Sequence, residues 1–238
     1  MWDKPRDLNN LSSVLLGISL LLLLYGALYY VLHLPEFKLR VVQLNVAPRQ
    51  VDVAQIEAVL RDELHGNFFT VDLDNTQRAF ERLPWVRKVN VRRHFPWKLE
   101  VEIEEHIALA HWNGTELVNT HGEIFTAGSD KVLPDFSGQA DSAVEVTQMY
   151  HAFTEQLAPL KQEIAQINLS PRRAWQLRLN NGLMLKLGRE QAQQRLARFV
   201  AVFPWTGINN QDSVGSGAVQ YVDLRYRNGF AVMYRQPV

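Results

Sequence analysis

Histidines come first in a search for catalytic chemistry, and this chain has seven. No two stand four apart, so neither an H-x-x-x-H pair nor an HExxH motif exists to hold zinc on one helix face. His111 and His121 lie ten apart on what read as neighbouring strands, a spacing that leaves a metal pair open. A cysteine count of zero excludes a thiol nucleophile, a thiolate zinc site, an iron–sulfur cluster and a disulfide scaffold. Gly215-Ser216-Gly217 is not G-x-S-x-G. It is not G-x-G-x-x-G either, because Gln220 stands where the third glycine belongs. No catalytic residue, metal ligand or cofactor site is assigned on these grounds, and the chain does not read as an enzyme.

Arginine is the more promising type. Arg172-Arg173 and Arg225 could bind carboxylates in fork geometry, which an acidic partner would exploit. Arg78 to Lys98 holds seven basic residues and one acid, Glu81. That run could meet acidic lipid or a partner. It reads better as one side of a hairpin whose other side is acidic.

The charge balance limits what such arginines do. The chain has 238 residues, 25 Lys and Arg, 25 Asp and Glu, and a pI near 7.1. Neutralising a phosphate backbone needs a basic surplus, so a nucleic-acid binder is disfavoured. Hydrophobic residues at 47% and charged residues at 21% exclude a disordered chain.

The neutral average covers two solvents. Between Asp7 and Glu36 there is no charged residue, and Val14 to Leu34 is almost wholly apolar. At roughly 1.5 Å rise per residue this run spans about 30 Å, the thickness of a bilayer's hydrocarbon core. Tyr29 and Tyr30 suit an interface belt. A cleavable signal peptide has a shorter apolar core and a small-x-small site, whereas this run continues past Gly26 and Ala27. An uncleaved signal-anchor helix is predicted. Lys4 and Arg6 on one flank and Lys38, Arg40 and Arg49 on the other leave its orientation open to charge counting. Once Asp3, Lys4, Arg6 and Asp7 are set aside, the remainder is again balanced, 23 against 23.

That remainder is patterned. Phe37–Val46 reads as a strand. Asp52, with Gln55 three residues on, has capping-box spacing. Val53, Ile56, Leu60 and Leu64 then recur at helical period until Gly66. Asp72 or Asp74 caps a second helix, with Leu73, Ala79, Phe80 and Leu83 on its apolar face and Pro84 at its end. Val89 and Val91 must share a face with Leu99, Val101 and Ile103. Odd therefore pairs with odd, and the loop Phe95-Pro96-Trp97 has the three residues required. That register sets Lys88 and Arg92 opposite Glu100, Glu102 and Glu104, for cross-strand ion pairs. Further on, Ala108–Phe125 reads as short strands broken at Asn113-Gly114 and His121-Gly122. Val144–Leu157 reads as a helix and Ile164–Leu169 as a strand. Trp175–Leu179 and Leu183–Leu187 form a hairpin over Asn180-Asn181-Gly182. Ala192 to Phe203 is a helix ended by Pro204, and Gly207–Gly217 a loop. A last hairpin turns at Arg227-Asn228-Gly229, with Val222, Leu224, Tyr226, Phe230, Val232 and Tyr234 on one face. By parity Tyr226 fits the core as well as it fits a site. Only four residues follow Tyr234, too few for a later strand to cover Phe230–Tyr234, so unless an earlier strand occupies it that strand has a candidate free edge able to accept a partner strand.

Together these parts closely resemble the FtsQ/DivIB family of bacterial cell-division proteins, in the form found in Gram-negative bacteria. The resemblance rests on LPWVRKVNVRRHFPWKLEVEIEEH (Leu83–His106), WNGTELVNTHGEIF (Trp112–Phe125), RRAWQLRLNNGLMLKLG (Arg172–Gly188) and YVDLRYRNGFAV (Tyr221–Val232), and covers roughly Phe37 to Tyr234. It implies an α+β protein with a cytoplasmic tail at 1–10, a transmembrane helix at 11–34, a POTRA domain at 37–106 and a mostly antiparallel β domain with a helix packed on it at 107–238. The last two would lie in the periplasm, on the inner membrane at the division septum. It implies a scaffold that binds FtsB and FtsL and links early and late divisome proteins, with no cofactor, nucleic acid or small-molecule substrate. The family's partner-contacting positions fall here on Arg173, Arg225, Tyr226, Asn228, Gly229 and Tyr234; the edge-strand argument adds Phe230 and Val232. The rival readings are a membrane-anchored cell-wall hydrolase and a POTRA-bearing secretion or assembly factor.

Overall fold

A computed structural model describes residues 5–32, 34, 37, 41–44, 49–95, 97–206, 219–227 and 229–234. Helix α1 (Pro5–Leu32) opens with proline at its first position, where the missing N–H costs nothing. It carries the apolar run, of which Asn9–Leu32 is long and apolar enough to cross a membrane, and that stretch is not buried by the rest of the chain. The helix starts six residues before position 11 and stops two before Leu34.

The chain divides into two compact units, Met1–Glu105 and His106–Val238. Beyond α1, the first holds β1 (Val41–Leu44), α2 (Val53–Glu63), α3 (Leu73–Glu81), β2 (Val86–His94) and β3 (Lys98–Glu105). Asp52 caps α2, its carboxylate accepting from the Ala54 N–H at 3.0 Å. Asp72, rather than Asp74, caps α3, accepting from the Asn75 N–H at 3.0 Å. The expected β-α-α-β-β order holds, although only Val41–Leu44 of the strand expected over Phe37–Val46 is seen; the other residues of that span, apart from Phe37, lie outside the described set. The sheet order is β1-β3-β2, with β1 parallel and β2 antiparallel to the central β3. Phe80, Leu99 and Val101 are fully buried between helices and sheet.

Strands β2 and β3 pair odd with odd, as their apolar alternation requires. His94 pairs with Lys98, Val91 with Val101 and Val89 with Ile103, which leaves the three-residue loop 95–97. The ion pairs differ from expectation. A register shift between Val86 and Lys88 turns the intervening Arg87 outward, and Arg87, not Lys88, bonds Glu104 at 2.6 Å. His94 meets Glu100 at 2.6 Å. Such exposed pairs contribute only tenths of a kcal/mol.

The second unit is a nine-stranded sheet ordered β12-β11-β10-β9-β8-β7-β4-β5-β6. Its strands are β4 (Ala108–Trp112), β5 (Glu116–Asn119), β6 (Ile124–Phe125), β7 (Asp135–Ser137), β8 (Ile164–Leu169), β9 (Trp175–Leu179), β10 (Met184–Gly188), β11 (Val219–Asp223) and β12 (Ala231–Tyr234). Five of its pairings are antiparallel, and β4–β7, β7–β8 and β10–β11 are parallel. Two helices pack on it rather than one, α4 (Ala143–Leu157) against β8 and α5 (Ala192–Val202) against β10. A sheet of nine strands exposes more apolar face than one helix can cover. Phe153 of α4 meets Trp175 edge to face at 5.8 Å, and Phe199 of α5 is buried in the same core. The β9–β10 hairpin has the expected loop. Leu179 N–H donates to Leu183 at 2.9 Å, and Gly182 supplies the left-handed residue at φ +84°.

Candidate partner-binding edge

The histidine pair is set aside by geometry. His111 pairs with Leu117 in mid-ladder, whereas His121 follows Asn119, which pairs with Ala108 at the far end of β4. Three residues of strand separate them by about 10 Å, too far to share one ion. Among the described residues, no group of three or more metal-binding side chains forms.

The terminal hairpin is where the predicted site lies, and its register departs from the sequence reading. Val222 pairs with Val232 and Asp223 with Ala231, so seven residues, not three, separate the last pair. Parity is kept, but the strand is displaced by two residues. Two bonds end the ladder early. The Leu224 N–H donates to the Lys186 carbonyl at 2.9 Å, which holds Leu224 to β10. The Asp223 carboxylate accepts from the Arg225 N–H at 3.0 Å and bends the chain out of the strand. Leu224 is buried, and Tyr226 beyond the bend is 59% exposed. The core reading of Tyr226 is therefore wrong: its parity with Val222 loses meaning once the strand stops at Asp223.

Strand β12 ends the sheet order, pairing only with β11 among the described residues. Its other edge offers main-chain groups to a further strand. Val232 packs partly against the core, while Met233 and Tyr234 are exposed. Phe230 is half-buried, edge to face with Phe199 at 5.9 Å. Together with Gly229, Leu224, Arg195, Arg198 and Val202 it lines a groove of about 390 Å³ between α5 and the β11–β12 connection. Arg198 donates to the Arg227 carbonyl and ties that connection to α5. Asn228 lies outside the described residues.

The arginines are engaged rather than free. Arg225 grips Asp223 through Nε at 2.9 and 3.0 Å and Nη2 at 2.6 Å. The Arg225 side chain is 61% exposed and that of Asp223 only 8%. Hydrogen bonding to Arg225 is the chief reason the Asp223 carboxyl titrates below its ordinary range, and Lys186 adds to it. The same bonds push Arg225 up. Arg173 sits in the β8–β9 turn at φ +63°, its N–H donating to the Ser170 carbonyl at 2.8 Å, and it pairs with Glu145 in the first turn of α4.

The sheet brings these positions to one end. Gly188 of β10 pairs with Trp175 of β9, so β10 finishes where the β8–β9 turn begins. Strand β11 runs parallel to β10 and finishes at that end too. Arg173 and Arg225 thus share one end of the sheet, a few strand spacings of about 4.8 Å apart. Sequence patterning could not join them, because β10–β11 is a parallel pairing made across α5. Gly188, at φ +78°, is needed there: a Cβ would lie 2.8 Å from Arg195 and 3.0 Å from the stem of Arg225.

An N-terminal helix long and apolar enough to cross a membrane, followed by a small three-stranded domain and a large sheet, fits a single-pass membrane protein with two α+β domains. Comparison with known proteins gives the lineage. Residues 37–106 match the FtsQ-type POTRA domain, and residues 110–225 match the C-terminal domain of cell division protein FtsQ/DivIB. The chain is 41% identical to the cell division protein FtsQ of Nitrosospira multiformis, over 97% of this chain and 98% of that one. It is 38% identical to that of Burkholderia pseudomallei, covering 98% and 94% of the two chains. For Bordetella pertussis the identity is 33%, covering 98% and 92%. The chain belongs to the FtsQ/DivIB family of cell division proteins.

Proposed function

We propose that the chain is a non-catalytic scaffold of the bacterial divisome, held in the inner membrane by α1 with a short cytoplasmic tail and with both domains in the periplasm. It acts at the septum, where it binds FtsB and FtsL and links early with late division proteins. The observation that carries this reading is β12, a terminal strand whose outer edge is unpaired among the described residues and whose Met233 and Tyr234 are exposed. An extended segment of FtsB adds to that edge by main-chain hydrogen bonds. Phe230, Val232, Gly229, Asn228 and Tyr234 define the strand's approach, Tyr226 offers an exposed aromatic anchor, and Arg225 and Arg173 meet acidic side chains on the partner.

The test is titration of the full chain, in nanodiscs, with the periplasmic parts of FtsB and FtsL. Tyr226→Ala combined with Arg225→Glu is expected to weaken FtsB binding at least tenfold while circular dichroism stays native. Unchanged affinity of that folded double variant removes the site. Zinc- or serine-dependent hydrolysis of peptidoglycan by the chain would overturn the scaffold reading in favour of a hydrolase. Selective binding of unfolded outer-membrane proteins would favour an assembly factor instead.

A further inference from the structure

The first unit exposes large aromatic side chains. Phe69, in the α2–α3 connection, is exposed. So are Phe95 and Trp97 in the β2–β3 turn, Phe95 by 75%. Phe69 and Phe95 are not scattered, and Trp97 shares the turn with Phe95. Phe37 meets Phe69 edge to face at 5.0 Å, Phe69 meets Phe68 at 5.2 Å, and Phe68 meets Phe95 at 6.0 Å. Phe68 is buried beneath, and it joins the outer rings into one continuous face.

The same connection is tied to the end of the membrane helix. Asn67, nearly buried, donates through Nδ2 to the carbonyl of Leu32, the last residue of α1. Its Oδ1 accepts from the N–H groups of Phe69 and Thr70, both at 3.0 Å. The Phe68 N–H donates to the Phe37 carbonyl at 2.9 Å. Beyond α1 the chain turns twice more, Leu34 N–H to Val31 and Phe37 N–H to Leu34. Two tethers therefore hold the aromatic face beside the point where the apolar helix stops. The headgroup and glycerol layer begins where the hydrocarbon ends and is only several ångströms thick.

We propose that Phe37, Phe69, Phe95 and Trp97 form a lipid-docking face, bedded in the interfacial layer of the bilayer that α1 spans. Aromatic rings with polar neighbours partition to that layer. Arg92 and Lys98 flank Phe95 and Trp97 in sequence, which suits anionic phospholipid headgroups. The occupant follows from continuity with the membrane helix, since lipid is what surrounds the end of α1. Docking would restrict how the first domain tilts over the membrane. This inference does not depend on the β12 site.

The absence of native cysteine makes the test clean. Phe95→Cys carries a single NBD fluorophore on the full chain, placed in nanodiscs of phosphatidylethanolamine and phosphatidylglycerol with or without brominated acyl chains. Glu57→Cys, exposed in the first half of α2, is the control. The label at 95 is expected to be blue-shifted and quenched more than twofold by brominated lipid, and the label at 57 to be neither. A label at 95 that stays water-exposed overturns the proposal. So does one that is blue-shifted but unquenched, since protein rather than lipid would then cover the face. Because the label itself replaces an aromatic, the unlabelled chain provides a second reading. The fluorescence difference between wild type and Trp97→Phe should vanish in brominated lipid, and its persistence overturns the proposal as well.

Discussion

The β2–β3 and β11–β12 hairpins differ in what lies beside them. Strand β3 is central, with β1 on one side and β2 on the other, and it pairs with β2 from Val86 to His94. Among the described residues, strand β12 pairs over Ala231–Tyr234 on one side only. In the first hairpin β2 is itself an edge of its sheet, but β3 is flanked on both sides, and Leu99 and Val101 lie fully buried. In the second, every residue of β12 except the half-buried Val232 is exposed. The first hairpin is thus anchored in a packed core even along its edge strand β2, where Val86, Val89 and Val91 are buried. The second ends in an edge strand with mostly exposed side chains, and there a partner strand can add both main-chain bonds and side-chain cover.

The largest expected effect tests the packed side of this contrast. Leu99→Ala empties a site with no solvent access, and it should lower the stability of the first domain by about 2–5 kcal/mol in urea unfolding. A loss under about 1 kcal/mol would mean that this hairpin is no better packed than the terminal one. On the open side, proline removes a ladder N–H and fills the edge with its ring. Ala231→Pro, at an exposed position, is expected to leave unfolding nearly unchanged and to weaken FtsB binding at least a hundredfold by titration. Normal binding by a folded variant, with the Ala231 N–H shown to point away from β11, would close the edge as a docking site.

A smaller effect separates the two regions by pH. Glu105 ends β3, and its carboxylate accepts from the N–H groups of Arg49 at 3.0 Å and of Gln50 and Val51 at 2.9 Å. Burial pushes its pKa up, but the three N–H donors and Arg49 outweigh that, and the net shift is downward. A depressed carboxylate stabilises the fold above its unfolded pKa of about 4.3 and loses that contribution as pH falls through the lower folded value. Glu105→Gln should therefore cost about 1 kcal/mol at pH 7 and flatten the acid limb of the first domain's stability curve. An unchanged acid limb would show that the three donors do not favour the ionised form.

What the sequence reveals about each hairpin follows from the same difference. Where a hairpin is embedded, alternation and loop length agree. The pairings of Val89 with Ile103 and Leu177 with Leu185 could be read from parity alone. At the terminal hairpin alternation still tells which residues share a face, but not where the strand stops. The stop depends on Leu224 bonding Lys186 across a parallel pairing and on Asp223 bonding Arg225. Neither contact has a periodic signature. Tyr226 was thus legible as an aromatic near an edge and illegible as exposed. The ion pairing of Arg173 with Glu145 and of Arg225 with Asp223 was likewise hidden, since charge sign shows in sequence and partnership does not. The aromatic face of the first domain has no signature in the sequence, because Phe37, Phe69 and Phe95 are brought together only by the fold.

The smallest expected effect bears on those paired arginines. The guanidinium of Arg225 is held by Asp223, and an acidic partner strand must compete with that carboxylate. Asp223→Asn removes the competing charge while its amide oxygen can still accept the Arg225 N–H, so the bend after β11 is kept. Arg225 is mostly exposed, and an exposed pair contributes little; stability should change by less than about 1 kcal/mol. Affinity for an acidic segment should instead rise a few-fold, with the gain lost at high salt because the new attraction is screened. Weaker binding by the folded variant would reverse the assignment. Asp223 would then be positioning the Arg225 fork for the partner, and the ion pair would be part of the docking surface rather than a competitor to it.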